Sequence, residues 1–326
     1  MSSCGKYLMN NKGVDCDDDI YTIQYADISQ EKFDRPIEFK PLETTLPGKG
    51  MSFIDSISTK FYFRSSYGVS NYKIICVDLE KPGDENWVDV VPENEMNVLN
   101  DVYSVNGLII ATYMENVSDK LKVFNFEGKF IQDIQLPGIG SAAGRGSGKY
   151  FIYKFTSFTD PGSISVVDLT TFEVNRIAST KLGSVNTDDF QTDQVWFPSK
   201  DGTQIPMFCI RKKSTLPNIE EKPEKPIVTM LYGYGGFNVN IAPAFSATRL
   251  VLLNNLGGML CVCTLRGGGE FGEKWHKQGM LETKQNCFDD FCAAAEFLIS
   301  KGITSADKLH IHGESNGGLL VTACAN

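Results

Sequence analysis

Leu309-His310-Ile311-His312-Gly313-Glu314-Ser315-Asn316-Gly317-Gly318-Leu319-Leu320 is the stretch on which the fold turns. Leu309, His310 and Ile311 predict a short strand, Gly313 to Gly317 matches Gly-x-Ser-x-Gly, and residues 318–325 predict a helix start. Strand, tight turn and helix are the setting of a nucleophile elbow, where a strained turn lifts a serine hydroxyl into solvent. The glycines permit that turn because they carry no Cβ. An ordinary strand-to-helix turn is the competing reading of so short a pattern; the flanking elements favour the elbow.

Upstream of the elbow, strands and helices alternate. Residues 227–232 and 259–265 are apolar runs of the buried parallel type. Residues 247–256 predict a helix stopped by Gly257-Gly258. Asn286 is expected to cap a second helix, whose Phe288, Phe291, Cys292, Ala295, Leu298 and Ile299 recur at helical spacing. Before them, residues 194–198 and 205–210 predict a hairpin around Asp201-Gly202. The charged loop 211–226 reads as a solvated linker. This rhythm belongs to a parallel sheet with crossover helices, where ligands gather at the carboxyl ends of strands. Gly233-Tyr234-Gly235-Gly236, Arg266-Gly267-Gly268-Gly269 and Ser315 each follow a strand and are expected on one rim.

The first half repeats. Residues 20–28, 72–79, 121–126 and 163–169 are alternating β-patterns closed by a polar turn residue. Asp27, Asp78, Asn125 and Asp168 hold equivalent places, 51, 47 and 43 residues apart. Three copies show an upstream partner strand, at 61–64, 108–113 and 150–155. A strand–turn–strand unit recurring at this period predicts propeller blades rather than a sandwich. Four blades are visible, and residues 2–11 read as the middle of the first. The repeat stops near Thr187-Asp188-Asp189-Phe190, which predicts a propeller domain at 1–188 and a second domain at 189–326.

A chain of 326 residues suggests about two domains, and 42% hydrophobic with 22% charged residues is ordinary globular composition. The net charge of -9 leaves no basic stripe to neutralise phosphates, so nucleic acid is not an expected partner. Met1 to Lys6 lack the apolar core of a signal peptide, and no run approaches the roughly 20 apolar residues that cross a bilayer. No membrane partner is therefore expected. The nine cysteines are odd in number and scattered without a C-x-x-C pair, which points to free thiols, no metal and the cytosol.

A serine hydroxyl becomes a nucleophile only when a base takes its proton, and the resulting oxyanion needs preorganised donors. Asn316 offers its backbone N–H at the helix start. The loop Gly233-Tyr234-Gly235-Gly236-Phe237-Asn238 offers a second donor, with the Tyr234 hydroxyl available. Arg266-Gly267-Gly268-Gly269-Glu270 lacks both the Lys-Ser/Thr ending of a phosphate loop and a dinucleotide spacing. It is expected to be structural, with Arg266 in an ion pair, and His276 reads as a surface or loop histidine.

At these residues the chain resembles the prolyl oligopeptidase (prolyl endopeptidase) family of serine peptidases. The likeness lies in residues 231–238, 266–270, 284–291 and 315–320, and extends to Phe155-Thr156-Ser157-Phe158 and residues 197–203. It implies a partial α/β hydrolase, from its first strands through the nucleophile elbow, preceded by about four blades of a seven-bladed, size-filtering β-propeller. It implies Ser315 as nucleophile of an acyl-enzyme mechanism, with the Asn316 N–H and the Tyr234 hydroxyl as oxyanion donors. Phe237 matches a residue lining the pocket for the proline ring, where a planar aromatic wall suits a flat pyrrolidine. Implied too are cleavage of short peptides on the carboxyl side of proline, no cofactor, a cytoplasmic location and a monomer when complete. Basic-residue-specific oligopeptidases continue differently after Gly-Tyr-Gly, so Phe237-Asn238 points to the prolyl branch.

Two departures stand out. Glu314 occupies a place where this branch commonly has glycine, and a carboxylate there adds negative charge where an oxyanion forms; Glu314→Gly is expected to raise activity modestly. The segment after Ser315 contains neither aspartate nor histidine, although the family's triad runs Ser, Asp, His. His310 and His312 lie on the strand feeding the elbow and are expected to point away from a base's position. The chain thus reads as an internal fragment or a truncated gene model, lacking the family's N-terminal part and everything after the elbow, and inactive alone. A non-catalytic propeller-containing interaction protein, or another oligopeptidase or esterase of this fold, stays open as an alternative.

Overall fold

Alternation at the repeat period forms antiparallel sheets in which each strand pairs with its neighbours in sequence. The computed structural model describes residues 1–13, 21–42, 50–183 and 185–325; Ile20 of the first repeat copy lies outside them. The first described sheet joins Tyr7–Gly13, Tyr21–Asp27 and Lys40–Pro41. The second joins Met51–Ile57, Lys60–Ser65, Lys73–Asp78 and Val88–Val91, and the third Val98–Val105, Leu108–Glu115, Ser118–Asn125 and Phe130–Ile134. Ser141–Ser147, Tyr150–Thr156, Ser163–Asp168 and Glu173–Ser179 make the fourth.

These sheets stack as blades because successive side chains of a strand face opposite sides. Phe61 and Phe63 pack with Tyr7 and Ile23 of the first sheet, whereas Tyr62, between them, packs with Ile109 and Tyr113 of the third. Val105 and Val123 then meet Phe151 and Val167 of the fourth. The recurring aspartate has a local cause. Asp27, Asp78 and Asp168 each accept a hydrogen bond from the N–H two residues on, at 3.0, 3.1 and 2.9 Å, which holds the turn out of the strand. Asn125 instead accepts from Lys129 N at 2.8 Å. Lys149 pulls the Asp168 carboxyl down to about 2.

Beyond the blades lies a five-stranded sheet in the order Phe190–Pro198, Gln204–Lys212, Met259–Cys263, Thr229–Tyr232, Leu309–His312. The last three run parallel, as the rhythm predicts, and the hairpin joins antiparallel through Gln204–Lys212. Helix α1 (Ala247–Leu256) packs Leu250 and Leu253 on one face, together with Val98, Val117 and Phe158 of the blades. On the other face sit α3 (Gln285–Ser300) and α4 (Asn316–Ala325), with short α2 (Gly272–Lys277) at the rim. Blades and sheet thus share an apolar core, where each fully buried Leu, Val or Phe contributes about 1.5–3 kcal/mol. Ser141 Oγ donates to Pro243 O at 2.9 Å and Gln194 Nε2 to Asn116 O at 2.8 Å, stitching the two parts further.

Three expectations change. Asn286 is not the cap of α3: it lies inside the helix, and its Nδ2 reaches Gln278 O at 2.9 Å. The buried stripe of α3 is Cys287, Asp290, Phe291, Ala294 and Leu298, so Cys292 and Ile299 face out. The stripe is rotated because Asp290 is buried as an ion partner, which no apolar periodicity reports. Arg211 is not in a solvated loop. It is 0% exposed on Gln204–Lys212 and pairs with Asp193 at 2.6 Å, giving Nε to Leu216 O.

Candidate active site

The elbow forms where the Leu309–His312 strand meets α4. Ser315 takes φ 53°, a left-handed conformation that costs a non-glycine residue about 1–3 kcal/mol. Its neighbours explain why that strain persists. A Cβ on Gly313 would overlap the Gly317 backbone, and one on Gly317 would lie 2.6 Å from Gly233 O. Gly317 N donates to Glu314 O at 2.8 Å and Gly318 N to Ser315 O at 2.9 Å, closing the turn. Ser315 is exposed at its tip.

The three post-strand segments meet on one rim, as their strand positions predict. Asn316 Nδ2 donates to Tyr234 O at 2.5 Å. Lys284 Nζ donates to Gly235 O at 2.6 Å, and Cys287 Sγ approaches the same oxygen at 3.2 Å. Asn238 N donates to Gly267 O at 3.1 Å, tying the glycine-rich loops together. Gly235 sits at φ 60° against Cys287 Sγ, a place with no room for a side chain. The Tyr234 loop is thereby pinned to both α3 and α4. Sequence reasoning missed Lys284, Cys287 and the Asn316 side chain as pinning groups. The one available signal was the family-like run 284–291, which does not say what its members touch.

Asn316 is buried at the first turn of α4, and its main-chain N–H makes no hydrogen bond to a described residue. The four leading N–H groups of a helix have no intrahelical acceptor, so this donor is free for an anion. Tyr234 is half-buried. Phe237 holds φ 54° and is 77% exposed, so among the described residues it stands open instead of walling a closed pocket.

Among the described residues no histidine is hydrogen-bonded to Ser315. His310 and His312 are on the strand, with His312 Nε2 3.9 Å from Glu314 Oε1 and its ring 5.7 Å from that of Tyr232. Glu314 is exposed. His276, on α2, is half-buried, with Nδ1 2.7 Å from Gly267 O, so it is a brace of the loop and not a free surface residue. No described residue is hydrogen-bonded to Ser315 Oγ. Among the described residues no cluster of His, Cys, Asp and Glu could hold a metal.

Arg266 is structural, as expected. Its guanidinium meets Asp290 at 2.6 Å and Asp201 at 2.5 Å, and also reaches Ser199 and Thr203. Ser199, Asp201 and Thr203 come from the hairpin turn, which explains that run of the sequence. Hydrogen bonding from Arg266 pulls the Asp201 carboxyl down to about 2.

A left-handed serine between a parallel strand and a helix, behind stacked blades, defines an α/β hydrolase that carries a propeller. Comparison with known proteins narrows the class. Residues 1–180 match the N-terminal β-propeller domain of prolyl oligopeptidase, and residues 243–326 match the prolyl oligopeptidase family. The chain belongs to the prolyl oligopeptidase family, a family of peptidases. It is 40% identical to prolyl oligopeptidase A of Galerina marginata over 272 residues, 82% of this chain and 36% of that one. It is 34% identical to a prolyl endopeptidase of Elizabethkingia miricola over 291 residues, 88% and 39% of the two chains. The structure of prolyl oligopeptidase B from Galerina marginata, bound to a 35mer hydrolysis and macrocyclization substrate, superposes with TM-score 0.90 at 33% identity. That match covers 99% of this chain and 45% of the other. The chain therefore spans less than half the length of these relatives. Among the described residues no helix is long and apolar enough to cross a membrane.

Proposed function

We propose that the chain carries the nucleophile and oxyanion elements of a serine endopeptidase that cleaves short peptides after proline. Ser315 Oγ attacks the scissile carbonyl carbon, a base removes the hydroxyl proton, and the C–N bond breaks as the amine leaves protonated. Water then resolves the acyl-enzyme. The Asn316 N–H and the Tyr234 hydroxyl donate to the developing oxyanion, and Phe237 lies against the proline ring. Two domains, 1–188 and 189–326, fit the end of the last blade strand at Ser179 and the start of the mixed sheet at Phe190. A cytoplasmic monomer is the working form.

The observation that carries this reading is the exposed, left-handed Ser315 with a free helix N–H beside it. In a protein that carries this chain at the relatives' full length, succinyl-Gly-Pro-aminomethylcoumarin should be cleaved and the Arg analogue should not. Ser315→Ala should abolish cleavage. Equal turnover of the two substrates would contradict the proline reading, and persistence in Ser315→Ala would contradict the nucleophile. A 34% identical relative is named a dual function macrocyclase-peptidase, so an added peptide amine is a second test, as competitor to water on the same acyl-enzyme.

A further inference from the structure

A polar cavity of about 380 Å³ lies between the blades and the sheet. Thr112 and Asp119 line it from the third blade, and Asn238 and Asn240 from the loop that follows Phe237. Its chemistry is lopsided. Thr112 is 2% exposed, and its Oγ1 has no hydrogen-bond partner among the described residues. Asn240 Oδ1 is likewise buried and unpartnered, while its Nδ2 is turned to Asn100 Oδ1 at 3.4 Å. Asp119 is buried; Oδ2 accepts from Ala142 N at 2.7 Å, and Oδ1 takes no hydrogen bond from a described residue. Buried oxygens left without donors are costly, and a ligand bringing N–H groups would satisfy them.

Charge points the same way. Among the described residues Asp101, Asp119 and Glu273 line the cavity with Arg64 as the one cationic lining group, and Lys277 pairs with Glu273 at 2.7 Å, which leaves Asp101 and Asp119 as the carboxylates without a cation partner. Arg64 gives Nε to Leu99 O at 2.6 Å and stacks 3.4 Å over the Tyr72 ring, so it is turned to neighbours of its own. Burial raises the Asp119 carboxyl to about 6, and Asp101 adds a charge of the same sign.

We propose that this cavity is a subsite for an organic cation, the ammonium or guanidinium of a lysine or arginine in the bound peptide, held by Asp119, Thr112 and Asn240. The cavity shares a loop with Phe237, which sets it on the rim of the candidate active site. The inference rests on the peptidase reading for the source of the cation only; the unpaired oxygens call for a donor-rich cation in any case.

The test is calorimetric titration of the full-length protein that carries this chain, which needs no turnover. Nα-acetyl-lysine methylamide is the probe, its neutral norleucine counterpart the control, and spermidine the arm for a free polyamine. The lysine probe is expected to bind at least tenfold more tightly than norleucine. Asp119→Asn should erase that preference, and Thr112→Val should weaken it severalfold. Equal affinity of lysine and norleucine probes overturns the proposal, and that comparison stands even if a variant does not fold. A preference that survives Asp119→Asn also overturns it, and binding of spermidine without the lysine probe overturns the peptide origin. Lysine binding in a protein that cleaves no proline peptide would sink the peptidase reading and leave the cation site.

Discussion

The side-chain amide of Asn316 donates to the main-chain carbonyl of Tyr234 at 2.5 Å, so the residue beside the candidate nucleophile also holds the loop that carries the proposed second oxyanion donor. Under the proposed mechanism Asn316 would act twice, through its N–H on the oxyanion and through its side chain on the Tyr234 carbonyl. Preorganisation of this kind matters because donors must already point where charge develops. Tyr234→Phe is expected to lower kcat by about 10²–10³-fold, the usual cost of one oxyanion donor. Asn316→Ala keeps the N–H and loosens the loop, so kcat should fall by a smaller factor with KM little changed. A kcat for Asn316→Ala equal to the parent's would remove the positioning role.

Gly317 and Gly318 are adjacent in α4 and should respond oppositely to alanine. A Cβ at Gly317 meets Gly233 O at 2.6 Å, whereas one at Gly318 meets nothing within 4 Å. Gly317→Ala should cost about 1–3 kcal/mol through overpacking. Gly318→Ala should be neutral or gain up to about 1 kcal/mol from helix propensity. Denaturant titration of the pair checks this, and equal effects would contradict the close approach of elbow and loop.

Glu270 should make stability fall with rising pH. It is buried, Oε1 accepts from Ile241 N at 2.7 Å, Oε2 has no partner among the described residues, and burial raises its carboxyl to about 7. Below the unfolded value of 4.5 the group is neutral in both states, so no penalty arises. Between there and about 7 the folded state holds a proton that the unfolded state has lost, and stability declines with pH. The loss levels off above that range at about 3 kcal/mol, an upper figure. Glu270→Gln should be more stable than the parent at pH 8 and similar to it at pH 4. The same difference at both values would contradict this.

Arg266 joins α3, through Asp290, to the hairpin turn, through Asp201 and Ser199. Removing one partner of a buried pair leaves an uncompensated charge and costs about 3–5 kcal/mol. Arg266→Met should destabilise by that order, and the double change with Asp290→Leu should recover part of it. A double variant no better than the single would argue against a direct pair.

What could be read in the sequence follows the apolar pattern. Lys60–Ser65 and Leu108–Glu115 are near-continuous buried runs, and Tyr150–Thr156 alternates buried with more exposed residues, so the blades' central strands were legible. Glu173–Ser179 is exposed at every residue, and Ser141–Ser147 is small and glycine-rich; neither carries a hydrophobic period, so both outer strands were missed. Arg211 was misplaced, and Asp290 left off the buried stripe of α3, for a related reason: charge reads as surface until its buried partner is known. At the candidate site, Ser315 and the loops were legible from glycines after strands. The clamp from Asn316 to Tyr234 links residues 82 apart, which no local pattern reports.

The most direct measurement is fluorophosphonate labelling followed by peptide mapping, in the full-length protein that carries this chain and in its Ser315→Ala variant. Adduct on Ser315 in the first and none in the second is expected. The 326-residue chain alone should stay unlabelled, because no described histidine is hydrogen-bonded to Ser315. An adduct on any other serine, with Ser315 unmodified in the full-length protein, would contradict Ser315 as the nucleophile.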